Sequence, residues 1–64
     1  MIYYYTSNTP PDMDILEGAI RSSSFQLAYD HLRWDAEDMH LKIYLTRDLT
    51  GAEKTELDIM VAAV

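Results

Sequence analysis

An unbroken alternation of apolar and polar residues spans positions 39–46, Met-His-Leu-Lys-Ile-Tyr-Leu-Thr, and constrains this chain more than any other feature. A period of two residues is that of a β-strand with one buried face. Residues 25–34, Phe-Gln-Leu-Ala-Tyr-Asp-His-Leu-Arg-Trp, precede this run and are also compatible with a strand. Because only the polar residues 35–38 separate the two runs, the sequence predicts a β-hairpin.

The segments on either side of the hairpin predict one more strand and two helices. Residues 2–6 are β-branched or aromatic, which favours a strand. Two prolines then follow, and apolar residues at helical spacing predict a first helix over residues 11–22. Thr50 and Glu53 have the capping-box form and predict a second helix from about residue 51 to the end of the chain. The apolar stripe of this helix comprises Leu57, Met60, Val61 and Val64.

The predicted order β-α-β-β-α specifies a small α+β domain that includes all 64 residues. The simplest sheet has strand order 1-3-2, with the third strand in the middle and antiparallel to both neighbours. Both helices then cover one face of the sheet. This arrangement is a split β-α-β unit, similar to a ferredoxin-like fold without its last strand.

The predicted loop at residues 35–38 sets the pairing of the hairpin strands. Trp34 then lies opposite Met39, and Leu32 lies opposite Leu41. The core face of the sheet is predicted to comprise Ala28, Leu32, Trp34, Met39, Leu41, Ile43 and Leu45. The helix residues expected to pack on it are Ile15, Leu16, Ile20, Leu57, Met60 and Val61. Asp30 is a polar exception on that face, so either it lies near the sheet edge or a bulge shifts the start of its strand.

The other sheet face is predicted to collect aromatic and basic side chains, while the helices carry most of the acid. The candidate protein-binding residues are Tyr3, Tyr5, Tyr29, His31, Arg33, His40, Lys42 and Tyr44. In the first strand, the pattern leaves open whether Tyr3 and Tyr5 or Ile2 and Tyr4 lie on this face. Tyr and Arg are enriched in interface cores, so we interpret the face as a binding surface. The alternatives are a solvated sheet with cross-strand pairs and, less favoured, a surface for single-stranded nucleic acid.

Composition excludes several functional classes. The chain contains no cysteine, which excludes a disulfide scaffold, a cysteine nucleophile and a thiolate metal site. Eleven acidic residues against five Lys and Arg give a net charge of −6, which disfavours binding to nucleic acid or to anionic membranes. Neither a signal peptide nor a transmembrane segment is indicated. We therefore expect a soluble protein, made and kept in the cytosol or in something assembled there.

No residue pattern predicts catalysis. His31 and His40 could lie near each other on the hairpin, but a metal site needs further ligands at fixed geometry. The turn residues Asp35, Glu37 and Asp38 lack the spacing and the glycine of a calcium loop. A chain of this length hardly forms the cleft that acid–base work requires. We expect neither enzyme activity, nor a metal or cofactor, nor a small-molecule substrate.

Two segments resemble small domains of tailed-bacteriophage virion proteins. One runs from Trp34-Asp35 through Leu41-Lys42-Ile43-Tyr44-Leu45 to Leu49-Thr50, Glu53-Lys54, Leu57-Asp58 and Val61-Ala62-Ala63. The other is Asp14-Ile15-Leu16, with Ala19-Ile20 and Ser22-Ser23. The resemblance implies a structural protein of the virion, made in the host cytoplasm: an adaptor, a decoration protein or a fibre-associated subunit. Its partners would be other virion proteins, copies of itself, or both, and it would carry no catalytic residues.

A second hypothesis is a soluble acidic inhibitor of a host defence protein, of the anti-CRISPR or nucleic-acid-mimic type. Its active surface would be the carboxylates of the helices. These are Asp12, Asp14, Glu17, Glu53, Glu56 and Asp58. Binding of such an inhibitor to a basic groove would weaken steeply with salt, whereas a structural contact through the sheet face would not.

Overall fold

The computed structural model describes residues 1–7 and 9–63 and contains the predicted sheet and both helices. Its elements are β1 (Ile2–Thr6), α1 (Met13–Arg21), a 3₁₀ turn (Gln26–Ala28), β2 (Tyr29–Asp35), β3 (His40–Leu45) and α2 (Gly51–Ala63). The strand order is β1-β3-β2, and β3 is antiparallel to both neighbours. The predicted α+β fold, with its 1-3-2 sheet and two helices, is confirmed.

Side chains at the helix starts determine where the helices begin. Asp12 is the N-cap of α1, and its carboxylate accepts a hydrogen bond from the Ile15 amide at 3.1 Å, so α1 begins later than the predicted residue 11. At α2 the predicted capping box is present. The Thr50 hydroxyl accepts from the Glu53 amide at 3.3 Å, and the Glu53 carboxylate accepts from the Thr50 amide at 2.9 Å.

The start of β2 differs from the prediction. Residues 25–28 were expected to be extended, but they form a 3₁₀ turn closed by a hydrogen bond from the Ala28 amide to the Phe25 carbonyl at 2.9 Å. The turn buries Phe25 and Ala28, three residues apart, and leaves Leu27 95% exposed. Three-residue spacing matches the 3₁₀ period, which brings positions i and i+3 to one side.

The hairpin register differs from the prediction by two residues. Trp34 pairs with Leu41 rather than Met39, and the turn falls at residues 36–39. Asp35 accounts for this shift, because its carboxylate accepts from the amides of Glu37 at 3.1 Å and Asp38 at 3.4 Å and so holds the turn. Met39, predicted on the core face, lies in this turn with φ 56° and is exposed. A shift of two residues does not by itself turn the side chains of the hairpin strands to the opposite face.

A β-bulge interrupts β2 between Tyr29 and His31. It was one of the two explanations predicted for Asp30, and it makes Asp30 the extra residue of the strand. Beyond the bulge, Tyr29 pairs with Leu45 and therefore lies on the same face as that buried leucine. The bulge keeps a charged residue out of the core at the cost of moving Tyr29 to the opposite face from the one predicted.

The core lies between the helices and one face of the sheet, which we call the helix face. Its buried cluster consists of Leu16, Ile20, Phe25, Leu41, Ile43, Leu45 and Leu57. Leu32, Trp34, Met60 and Val61 pack around it as partly buried residues. Ile15, predicted in the core, is 60% exposed, and the predicted stripe residue Val64 lies outside the described residues. No described helix has the length and apolar character needed to cross a membrane.

Candidate protein-binding face

The sheet surface turned away from the helices, which we call the open face, is a grid with three residues from each strand. These are Ile2, Tyr4 and Thr6 of β1, His40, Lys42 and Tyr44 of β3, and His31, Arg33 and Asp35 of β2. Side chains alternate between faces along each strand, and the intervening residues pack against the core. Five of the eight predicted binding residues therefore lie together here: His31, Arg33, His40, Lys42 and Tyr44.

Tyr3 and Tyr5 lie on the helix face, so their predicted position on the binding face is wrong. The Tyr3 hydroxyl accepts a hydrogen bond from the Leu49 amide at 2.9 Å, and the Tyr5 hydroxyl donates to Asp58 at 2.6 Å. The Lys54 ammonium lies 5.7 Å and 5.0 Å from the centres of the two rings. These tyrosines therefore connect β1 to α2 and to the segment before it. The alternative left open by the sequence, with Ile2 and Tyr4 on the open face, is the one observed.

Tyr29 is the third residue whose predicted position is wrong, because the bulge at Asp30 turns it to the helix face. Its hydroxyl donates to the Glu17 carboxylate at 2.8 Å, and the Arg21 guanidinium lies 5.6 Å from the ring centre. Burial and the hydrogen bond to Glu17 raise the pKa of Tyr29 to about 12. Tyr29 thus joins β2 to α1 and is not available on the open face.

Aromatic rings on the open face are fixed in pairs across the strands. His31 and Tyr44 stack with ring centres 4.1 Å apart and planes 10° from parallel. Tyr4 and His40 meet edge to face at 5.9 Å, and Tyr4 is 58% exposed. Paired rings offer apolar contact area that loses little side-chain entropy on binding, which favours a protein contact.

The charges of the open face differ from those of the whole chain. Lys42 and Asp35 form an ion pair at 3.1 Å in which both side chains are about one-fifth exposed. The hydrogen bond between them lowers the pKa of Asp35 and raises that of Lys42. Arg33 is exposed, and among residues 1–7 and 9–63 it has no ion-pair partner. With one cation paired and one left over, the nine residues of the open face sum to one positive charge on a molecule of net charge −6.

Most carboxylates of the helices are engaged within the chain. Three of them pair with cations: Glu17 with Arg21 at 3.3 Å, Glu53 with Arg47 at 2.9 Å, and Asp58 with Lys54. Asp12 caps α1, and Glu56 accepts from the Ser24 hydroxyl at 2.6 Å. The Arg47 guanidinium, with the Thr50 amide, lowers the pKa of Glu53 to about 2. These acids therefore stabilise helix starts and helix contacts.

Neither a metal cluster nor a pocket is found in the described part of the chain. His31 Nδ1 lies 3.3 Å from the Asp30 carboxylate, which belongs to the bulge. His40 lies at the other end of the grid, opposite Asp35. The open face carries paired aromatic and charged groups, a chemistry suited to contact with another macromolecule.

The sequence left Ile2 and Tyr4 as the alternative to Tyr3 and Tyr5 and placed Asp35 in the predicted turn, and all three lie on the open face. All of β1 is apolar, aromatic or Thr, so alternation could not choose between its two faces. The sequence did contain a signal for Asp35. It follows Arg33 by two residues, so continued alternation of β2 would place both side chains on the same face. Moving the predicted turn by one residue would have placed Asp35 on the open face.

Comparison of the chain with family models, curated proteins and solved structures finds no match.

Proposed function

We propose that this chain is a small structural subunit of a phage virion that acts by protein–protein assembly. The open face is the docking surface, and its partner is a neighbouring virion protein with an acidic contact surface. The observation that carries the proposal is the exposed Arg33 among fixed aromatic pairs, on the sheet face turned away from α1 and α2.

The chemistry of the open face supports a protein partner. Its paired rings supply apolar area, and Arg33 supplies a charge that forms directional bonds to carboxylates. A partner with carboxylates opposite Arg33 would be attracted to this face and repelled by the acidic remainder of the chain. Charge complementarity therefore selects both the partner and the face.

The virion setting comes from the resemblance of residues 34–63 to phage virion domains. In this structure the residues that carry the resemblance form the turn, the capping box and the core: Asp35 anchors the turn, Thr50 caps α2, and Leu57 is buried. The resemblance therefore describes a way of folding. The open face adds the surface through which such a subunit would attach.

The acidic-inhibitor hypothesis receives less support. It requires helix carboxylates that face a basic groove without competition. Three of the six are already paired with Arg21, Arg47 or Lys54, which reduces the negative field they project. A groove-binding inhibitor would have to break or share these pairs.

Quantitative mass spectrometry of purified particles, from the phage that carries this gene, tests the proposal. We expect the chain in the particle at a fixed ratio to a known structural protein. A chain abundant in infected cells but absent from particles contradicts the proposal and favours the inhibitor. A gene carried outside any phage or prophage also contradicts it.

A further inference from the structure

The outer edge of β1 presents an ordered row of backbone hydrogen-bonding groups. Met1 and Leu45 exchange both backbone bonds, at 2.8 Å and 2.7 Å, and the Ser7 amide donates to Met39 at 3.1 Å. In an antiparallel pair the inward-pointing residues alternate with outward-pointing ones. Residues 1, 3, 5 and 7 therefore bond to β3, and the N–H and C=O groups of Ile2, Tyr4 and Thr6 point away from the sheet.

The two sheet edges differ in how they are protected. β2 carries a bulge at Asp30 and charged side chains at Arg33 and Asp35, which are features that prevent strand addition. β1 has no charged residue, no proline and no bulge over Ile2–Thr6. In the part of the chain that the structure describes, β1 has a strand on one side alone. Strand addition is therefore favoured at β1 and opposed at β2.

We infer that the outer edge of β1 pairs with β1 of a second copy of this chain, antiparallel and about a two-fold axis at Tyr4. In this register Tyr4 lies opposite the partner's Tyr4, and Ile2 lies opposite the partner's Thr6. All three outward-pointing residues then meet outward-pointing residues, which gives about six backbone hydrogen bonds. The product is a continuous six-stranded sheet.

On the helix face, the proposed seam brings aromatic side chains and an internally paired charge together. On the helix face, Tyr3 lies opposite the partner's Tyr5. Lys54 contacts the rings of Tyr3 and Tyr5, and Asp58 binds the Tyr5 hydroxyl. Lys54 and Asp58 are paired with each other within each copy, so the charges beside the seam are balanced and do not oppose the pairing.

This dimer is separate from the docking surface proposed above, because it uses a backbone edge rather than side chains of the open face. It places two open faces side by side on the same side of the six-stranded sheet. A partner with two matching sites would then bind with increased avidity. The dimer forms with purified chain alone, so its failure and the failure of virion docking are distinguishable.

Sedimentation equilibrium of the purified full chain tests the dimer. We expect a concentration-dependent monomer–dimer equilibrium that Tyr4→Lys weakens at least tenfold, because two lysines then lie opposite each other at the axis. The matched control is Leu27→Lys, which adds a lysine at a 95% exposed position outside β1 and the open face and leaves the equilibrium unchanged. A monomer up to millimolar concentration, or equal effects of both variants, overturns the inference.

A single engineered thiol tests the register, since the chain has no cysteine of its own. Opposed residues of a hydrogen-bonded pair have Cα atoms about 5.5 Å apart, within the range that a disulfide spans. Tyr4→Cys should therefore oxidise to a covalent dimer. Thr6→Cys should stay monomeric under the same conditions, because four residues of offset separate its two copies by roughly 14 Å. Equal yields of covalent dimer from the two variants contradict the register.

Discussion

Tyr4 and Tyr5 are adjacent in the sequence but belong to different parts of the molecule. Tyr5 lies on the helix face, where its hydroxyl binds Asp58 at 2.6 Å, while Tyr4 lies on the open face and is 58% exposed. The same contrast divides the remaining tyrosines: Tyr3 and Tyr29 bind groups of the helix side, and Tyr44 stacks on His31. Strand alternation, together with the bulge at Asp30, and not residue type, decides which tyrosine stabilises the fold and which is available to a partner.

The largest expected effect is the difference in stability lost by substitutions on the two faces. Ile43→Ala empties a fully buried position on the helix face and should lower the free energy of unfolding by about 2–5 kcal/mol. That is a large part of the roughly 3–10 kcal/mol expected for a domain of this size. Tyr4→Ala on the open face should cost less than about 1 kcal/mol. Urea denaturation measures both, and equal losses would contradict the assignment of the two faces.

A smaller effect isolates the hydroxyl groups of the two neighbouring tyrosines. Tyr5→Phe removes the bond to Asp58 and should lower the free energy of unfolding by about 0.5–1.5 kcal/mol. Tyr4→Phe should change it by less than about 0.5 kcal/mol. Thermal denaturation of the two variants beside the parent chain provides the measurement. A larger loss from Tyr4→Phe would mean that Tyr4, and not Tyr5, lies on the helix face.

Alkaline titration compares the same faces through their phenols. Burial and the bond to Asp58 raise the pKa of Tyr5 to about 12, and burial and Glu17 raise that of Tyr29 to about 12, both from an ordinary 10.0. A raised pKa gives stability that is complete below pH 10 and is lost as the pH rises toward 12. Ultraviolet phenolate absorbance should show late titration by Tyr5 and Tyr29, and Tyr5→Phe should remove the Tyr5 contribution. Titration of Tyr5 or Tyr29 near pH 10 would contradict these contacts.

Acid titration extends the comparison to the carboxylates of the helix side. Arg47, with the Thr50 amide, lowers the pKa of Glu53 from 4.5 to about 2. A lowered pKa gives stability that is present above pH 4.5 and is lost as the pH falls toward 2. Carboxyl resonances in NMR should give a Glu53 midpoint near 2. In Arg47→Ala the midpoint should rise toward 4.5, and an unchanged midpoint would exclude the ion pair as its cause.

The order of the elements and of the strands could be predicted because separate segments carry separate patterns. Alternation indicates the hairpin strands, helical spacing indicates α1, and the capping box indicates the start of α2. The register could not, because it depends on the Asp35 carboxylate holding the turn amides, and a shift of two residues leaves the apolar pattern unchanged. Asp30 did signal its bulge, since a carboxylate has no place among buried leucines.

The face on which a candidate residue lies could be predicted where apolar and polar residues alternate along the strand. The prediction failed where they do not. His40, Lys42 and Tyr44 of β3 lie on the predicted face because their neighbours are plainly apolar. In β1 three consecutive tyrosines are equally suited to either face, and the choice is made by distant groups such as Asp58 and the Leu49 amide. Tertiary contacts of this kind leave no local pattern in the sequence.

The most direct test of the docking function is a matched charge reversal on the two sides of the molecule. Arg33→Glu changes an exposed cation of the open face, and Arg21→Glu changes an exposed cation of α1. Particles assembled with each folded variant are purified, and the chain in them is quantified by mass spectrometry. We predict that Arg33→Glu lowers incorporation at least tenfold and that Arg21→Glu leaves it near the parent level. Equal incorporation of the two variants would contradict the open face as the docking surface.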